Sequence, residues 1–212
     1  MDEHNELLEI MQSGDLDFAF SEYNKLCDKA KSFFFNYVLI QSNNYRYFEA
    51  INGYEIFNRK LTPIEQIFYI AFRLYTADFA RDFDVKTEVP LSLLLSEEIT
   101  TQKEVVCNDT KYIIDFVIDF SRKSIPGFDR KRLPGNEYIH PKLKNLKYAV
   151  EVDGYDYHSS KKQMEYDYIR ENNLKKCGYT VIRFTGSQVY KKPLSCVDTL
   201  VNIIVSDIKN RE

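Results

Sequence analysis

Cysteine is scarce in this chain and scattered: Cys27, Cys107, Cys177 and Cys196 form no C-x-x-C pair. That spacing argues against a zinc site and against a disulfide framework, and it leaves buried, reduced thiols as the expectation. Long apolar runs are missing too. The longest, residues 33–40, falls far short of the roughly 20 apolar residues of a membrane-spanning helix. The opening Met1-Asp-Glu-His-Asn-Glu lacks the basic start of a secretion signal, so a cytoplasmic chain with no membrane partner is expected. Net positive charge is also absent. A formal charge of −3 and a pI near 5.7 do not advertise nucleic-acid binding. No internal repeat or low-complexity linker is visible.

The distribution of charge says more than its sum. Residues 1–60 hold ten acids against six bases, an end that should avoid a phosphate backbone. The segment from Ser121 to Lys147 is the reverse: Arg122, Lys123, Arg130, Lys131, Arg132, Lys142, Lys144 and Lys147 face only Asp129 and Glu137. Pro126-Gly127 and Pro134-Gly135 break regular structure there. A loop or short ribbon that grips phosphates beside an active site is one reading. A solvated charged loop is the plainer one.

A hydrophobic content of 44% over 212 residues suits one α/β core with a small extra subdomain. Helical spacing at Glu6–Met11, Phe18–Ala30 and Tyr45–Asn58, with breaks at Ser13-Gly-Asp and Gln41-Ser-Asn-Asn44, predicts a helical N-terminal extension over 1–61. Thr62 then caps a helix with Pro63 in its first turn and Glu65 at capping-box spacing, followed by an apolar stripe through Tyr75. Strands are predicted near Thr87–Leu91, Thr101–Val106, Tyr112–Phe120, Tyr148–Asp153 and Thr180–Phe184. A polar helix separates the last two strands, and an amphipathic helix over Ser195–Ile208 closes the chain. The sum is a mixed α/β layer arrangement.

Two of those strands carry acids. Side chains alternate along a strand, so Ala149, Glu151 and Asp153 share one face and Tyr148, Val150 and Val152 the other. The same rule puts Ile114, Phe116, Ile118 and Phe120 on one face of the upstream strand and Ile113, Asp115, Val117 and Asp119 opposite. If the acid-bearing sides pair, Asp115 and Glu151 converge. Two carboxylates with room for water and a substrate phosphate suit a hard cation such as Mg²⁺, with Mn²⁺ as a substitute.

The order Asp115-Phe, Glu151-Val-Asp-Gly, His158, a helix with Gln163, Asp167 and Arg170, then Cys177-Gly-Tyr-Thr-Val-Ile-Arg-Phe-Thr-Gly186 resembles a known family. It is similar to the endonuclease-like domains related to very-short-patch repair endonucleases, within the PD-(D/E)xK, or restriction-endonuclease-like, superfamily. The resemblance spans roughly residues 62–205. It implies a restriction-endonuclease-like core over 62–212, with a central mixed sheet flanked by helices and a basic insertion over 121–147. It further implies that Asp115, Glu151 and the Val152 carbonyl hold the metal, and that Glu65 on the first helix faces it. As a capping acid, Glu65 also has a plain structural role, and the two can coexist.

Where the superfamily has a lysine two residues after the glutamate, this chain has Asp153, as many members of this branch do. His158 is the implied substitute for proton transfer or phosphate contact. Lys161 first, then Lys162 or Gln163, are the candidates for the lysine's role from the following helix. Asp167 and Arg170, three apart on a helix, read by default as an intrahelical ion pair. Arg183 is read as touching phosphate or pairing with an acid.

The implied activity is metal-dependent hydrolysis of DNA phosphodiester bonds, in defence, mobile-element biology or repair. RNA is an open alternative substrate. A catalytically weak nucleic-acid-binding or regulatory module with the same fold is the second reading. The third is a homodimer or protein partner engaged through the aromatic, acidic N-terminal helices.

Overall fold

Asn108 and Asp109 both adopt positive φ, 50° and 61°, the conformation that a two-residue hairpin turn demands of both its residues. They join strand β1, Ile99–Cys107, to β2, Thr110–Asp119, as an antiparallel pair. The computed structural model describes residues 27–33, 61–78, 95, 99–120, 141–153 and 161–211. Strand β3, Lys147–Asp153, lies antiparallel to β2, and β4, Thr180–Thr185, lies parallel to β3, giving a four-stranded sheet in the order β1-β2-β3-β4. The expected strand near Thr87–Leu91 lies outside the described residues.

Helix α1, Pro63–Asp78, precedes the sheet. Helix α2, Lys161–Lys176, is the crossover that the parallel pair β3 and β4 requires. A short α3, Gly186–Lys191, and a long α4, Pro193–Lys209, end the chain. This mixed sheet with flanking helices is the restriction-endonuclease-like α/β fold expected from the sequence. Sequence reading passed over α3, although Thr185 and Gln188 form a full capping box at its start.

Two apolar layers enclose the sheet. On one face α1 and α4 bury Phe68, Phe72, Val197, Leu200 and Ile204 against Phe116, Ile118, Tyr148 and Val150. The Phe68 ring lies 5.0 Å from that of Phe116 and 5.6 Å from that of Phe184. On the other face α2 contributes Leu174 to a smaller cluster with Val117, Ala149, Tyr112 and Ile114. The C-terminus of α2 is closed by Gly178 at φ 84°, with Tyr179 N–H donating to Leu174 and Gly178 N–H to Lys175, the hydrogen-bond pair of a left-handed helix stop.

Residues 28–33 are helical and belong to the same core: Ala30 is fully buried, and the Cys27 N–H donates to Gln66 Oε1 at 3.1 Å. The rest of the expected extension over 1–61, and its proposed partner-binding role, lie outside the described residues.

One expectation needs correction. Ile114 packs with Tyr112 and Val117, and not with Phe116 and Ile118. The alternation resets at Asp115, opposite Gln102, which sits at φ 45° in the left-handed region and is skipped by the β1–β2 ladder. Most of the expected basic segment, residues 121–140, lies outside the described residues. Its two ends emerge where Asp119 pairs with Lys147, four residues or about 13 Å along the strand from Glu151. Of its bases, Lys142 follows the start of a 3-10 turn at Pro141–Leu143, Lys144 accepts a bond from Arg211 through its carbonyl, and Lys147 stacks over the Tyr179 ring. Leu143 and Leu146 are buried, while Lys144 and Asn145 between them are exposed.

Candidate active site

The β2–β3 ladder ends at the pair Phe116 and Val150. One step further the same register sets Asp115 opposite Glu151, as the alternation of acids in the sequence predicts. There the strands part: β2 stays paired with β1 and β3 with β4, leaving a fork whose backbone groups need other partners. Side chains supply them. Asp115 Oδ2 accepts the Val152 N–H at 2.8 Å. From α2, Arg170 Nη2 donates to the Ile113 carbonyl at 2.6 Å and lies 2.7 Å from Glu151 Oε1, so one guanidinium nitrogen spans both prongs.

Glu65 enters from the opposite layer. Its Oε2 accepts the Thr62 N–H at 3.0 Å while Thr62 Oγ1 accepts the Glu65 N–H at 3.4 Å, a reciprocal cap of α1. The same Oε2 accepts from Gln102 Nε2 at 3.1 Å, and that amide reaches to 3.5 Å from Asp115 Oδ1. The capping carboxylate of Glu65 is thus also tied to β1 through Gln102. Gln102 explains its own strained backbone: the left-handed turn at this residue accompanies an amide that bridges two carboxylates.

Electrostatically the site is crowded with acid. Burial is the main cause that pushes Glu151 up to about 7, Asp115 adds to it, and Arg170 and Arg183 oppose it. Asp115 is also raised, first by burial and then by Asp153, against the Val152 N–H and Arg170. Glu65 moves the same way for the same first reason. The close partner of the buried Glu151 Oε1 is Arg170 Nη2, at 2.7 Å. Arg183, beside Glu151 in the β3–β4 register, has a buried Nε with no acceptor among the described residues.

These residues fit a hard divalent cation of a particular kind. Among the described residues no group of three or more His, Cys, Asp or Glu side chains is placed to hold a metal ion by itself. The buried carboxylate of Glu151 and the half-buried one of Asp115, with the Val152 backbone between the prongs, suit instead an ion that keeps waters and substrate oxygens as its other ligands.

Of the residues singled out in the sequence, the structure brings together Glu65, Asp115, Glu151, Val152 and Asp153, the last at the end of β3 in register with Thr185. His158, Arg122, Lys123, Arg130, Lys131 and Arg132 lie outside the described residues, as do the side chains of Lys161, Lys162 and Gln163 at the start of α2. Arg170 corrects the default reading of an intrahelical pair with Asp167: its contacts run to β2 and β3. A signal was available, because Leu174, the buried residue of α2, lies four positions on and therefore on the same helix face.

Residues 138–204 match the model of a restriction-endonuclease-like family, REase_MTES_1575. The matched stretch holds Glu151, Asp153, Arg170 and Arg183, and supports the resemblance to the PD-(D/E)xK superfamily. Glu65, Gln102 and Asp115 fall outside it and join the site through the fold. No curated protein and no solved structure matches the chain.

Proposed function

We propose that this chain is a divalent-metal-dependent endonuclease that hydrolyses DNA phosphodiester bonds, with Mg²⁺ as the working ion and Mn²⁺ as its substitute. The observation that carries the reading is the meeting of buried Glu151 and half-buried Asp115, both raised first by desolvation, where β2 and β3 part. Buried like charges of this kind are costly without a cation.

Asp115, Glu151 and the Val152 carbonyl would hold the ion, and Gln102 ties Asp115 to Glu65 so that its carboxylate keeps one orientation. A bound divalent cation supplies positive charge at the scissile phosphate and makes water more acidic there. Water attacks phosphorus, the bond to the 3′ oxygen breaks, and the products carry 5′-phosphate and 3′-hydroxyl. In this reading His158 takes or relays the proton of the attacking water. The bases Arg122, Lys123, Arg130, Lys131 and Arg132 track the substrate backbone. Among the described residues no helix is long and apolar enough to cross a membrane, and we place the activity in the cytoplasm.

The test is cleavage of supercoiled and single-stranded DNA by wild type, Asp115→Ala and Glu151→Ala in Mg²⁺, Mn²⁺ and EDTA, with folding checked by circular dichroism. Metal-dependent cleavage by wild type, reduced by at least about a hundredfold in both variants, is expected. Equal cleavage by all three would refute the site. Binding of DNA without cleavage by any of them would favour a binding module.

A further inference from the structure

The acids of the fork leave a charge problem that the cation alone does not solve. Glu65, Asp115, Glu151 and Asp153 gather at one end of the sheet, and a phosphodiester brings a further negative charge. A single divalent ion offsets two of these, and the residue two after Glu151 adds an acid where a base would help. Positive charge must come from elsewhere in the chain.

Arg170 is placed to bring it. Its side chain is 17% exposed and lies in the fork, with Nη2 fixed by the Ile113 carbonyl at 2.6 Å and by Glu151 at 2.7 Å. A guanidinium carries five N–H donors in a planar fork that matches two phosphate oxygens at once. Only Nη2 is engaged among the described residues, which leaves Nη1 and Nε available beside the acids. The hold on Ile113 comes from backbone and does not depend on the charge of Glu151, so the guanidinium stays anchored when a cation takes over the carboxylate. Arg183, next to Glu151 in register, adds a second guanidinium whose buried Nε lacks an acceptor.

We propose that Arg170, supported by Arg183, contacts the scissile phosphate of the substrate and supplies the positive charge that Asp153 does not. The assignment rests on the nuclease reading of the same acids. It differs from a purely structural ion pair, whose loss would lower stability and metal binding and leave the grip on substrate intact once metal is saturating.

The experiment uses the full chain as wild type, Arg170→Gln, Arg170→Lys, Arg183→Gln and Lys175→Gln, the last being a surface residue paired with Glu171. For each, three quantities are measured: the thermal midpoint, Mn²⁺ affinity by electron paramagnetic resonance, and affinity for fluorescent single-stranded, duplex DNA and RNA oligonucleotides. Oligonucleotide binding is read in saturating Ca²⁺, to hold back cleavage. Loss of charge-assisted bonds to phosphate should weaken oligonucleotide binding about tenfold or more in Arg170→Gln, with Mn²⁺ affinity held within about threefold. Arg183→Gln should show a smaller loss in the same direction, and Lys175→Gln none.

Arg170→Lys keeps a charge for Glu151 but not the planar fork, and decides the matter if Arg170→Gln does not fold. A weakened grip on oligonucleotide with unchanged Mn²⁺ binding supports the proposal. Equal oligonucleotide affinity in wild type and the folded Arg170 variants overturns it while leaving the nuclease reading intact, as does a loss of Mn²⁺ binding that matches the loss of oligonucleotide. Failure of wild type to bind any of the oligonucleotides overturns both.

Discussion

Glu151 shows how burial and charge set the chemistry available to one residue. Its carboxyl stands at about 7 in the fold against an ordinary 4.5, so between those values the folded chain keeps a proton that the unfolded chain has released. The associated stability is full below about 4.5 and is lost as pH rises through about 7. At about 1.4 kcal/mol per unit, the ionised form burdens the metal-free fold by roughly 3 kcal/mol. Glu151→Gln cannot ionise. In EDTA its urea midpoint is expected to exceed that of wild type at about pH 8, and to vary less with pH down to about 5. Asp115 and Glu65 shift the same way, so the variant flattens the profile without abolishing it. A variant less stable than wild type at the higher pH would mean that the Arg170 pairing outweighs burial. At this scale the sequence was informative about Glu151 and Asp115, because alternation along a strand is a local rule. It was silent on the partner of Arg170, which lies across the sheet, and on the backbone turn at Gln102.

Helix α1 and the β1–β2 hairpin meet the site through single turns of chain. The Thr62 cap holds the start of α1 and, through the reciprocal bond, the Glu65 carboxylate that Gln102 reads. Thr62→Ala should cost about 1 kcal/mol by denaturant titration, the usual worth of such a cap. It should also lower cleavage at limiting metal more than at saturating metal, because the turn that brings the residue-62 backbone N–H to the Glu65 carboxylate loosens once Oγ1 no longer accepts the Glu65 N–H. Unchanged stability would show that Pro63 and the Gln102 bond suffice to hold the helix start. Elements of this kind were readable in advance: the capping spacing at Thr62 and the hydrophobic periods gave α1, four strands and α4 to within about two residues of their ends, a normal margin. Helix α3 was missed because six residues are too few for a periodic signal, although its capping box stood in the sequence.

As a whole molecule, the chain builds its site from both layers of the fold. Glu65 comes from the helix on one face, Arg170 from the helix on the other, and Asp115 and Glu151 from the strands between them. Only the strand contribution follows from pattern alone, since the approach of α1 and α2 to the fork depends on packing between residues far apart in sequence. The basic segment makes the same point in reverse. Its composition was plain, but its exit at the Asp119–Lys147 end of the sheet is a property of register. The most direct test of the account is Mn²⁺ binding by the folded full chain, followed by electron paramagnetic resonance, in wild type, Asp115→Asn and Glu151→Gln. Binding of about one ion per chain by wild type, lost in both variants while circular dichroism is unchanged, is the predicted result. Equal binding by all three proteins would contradict the metal site and with it the proposed nuclease.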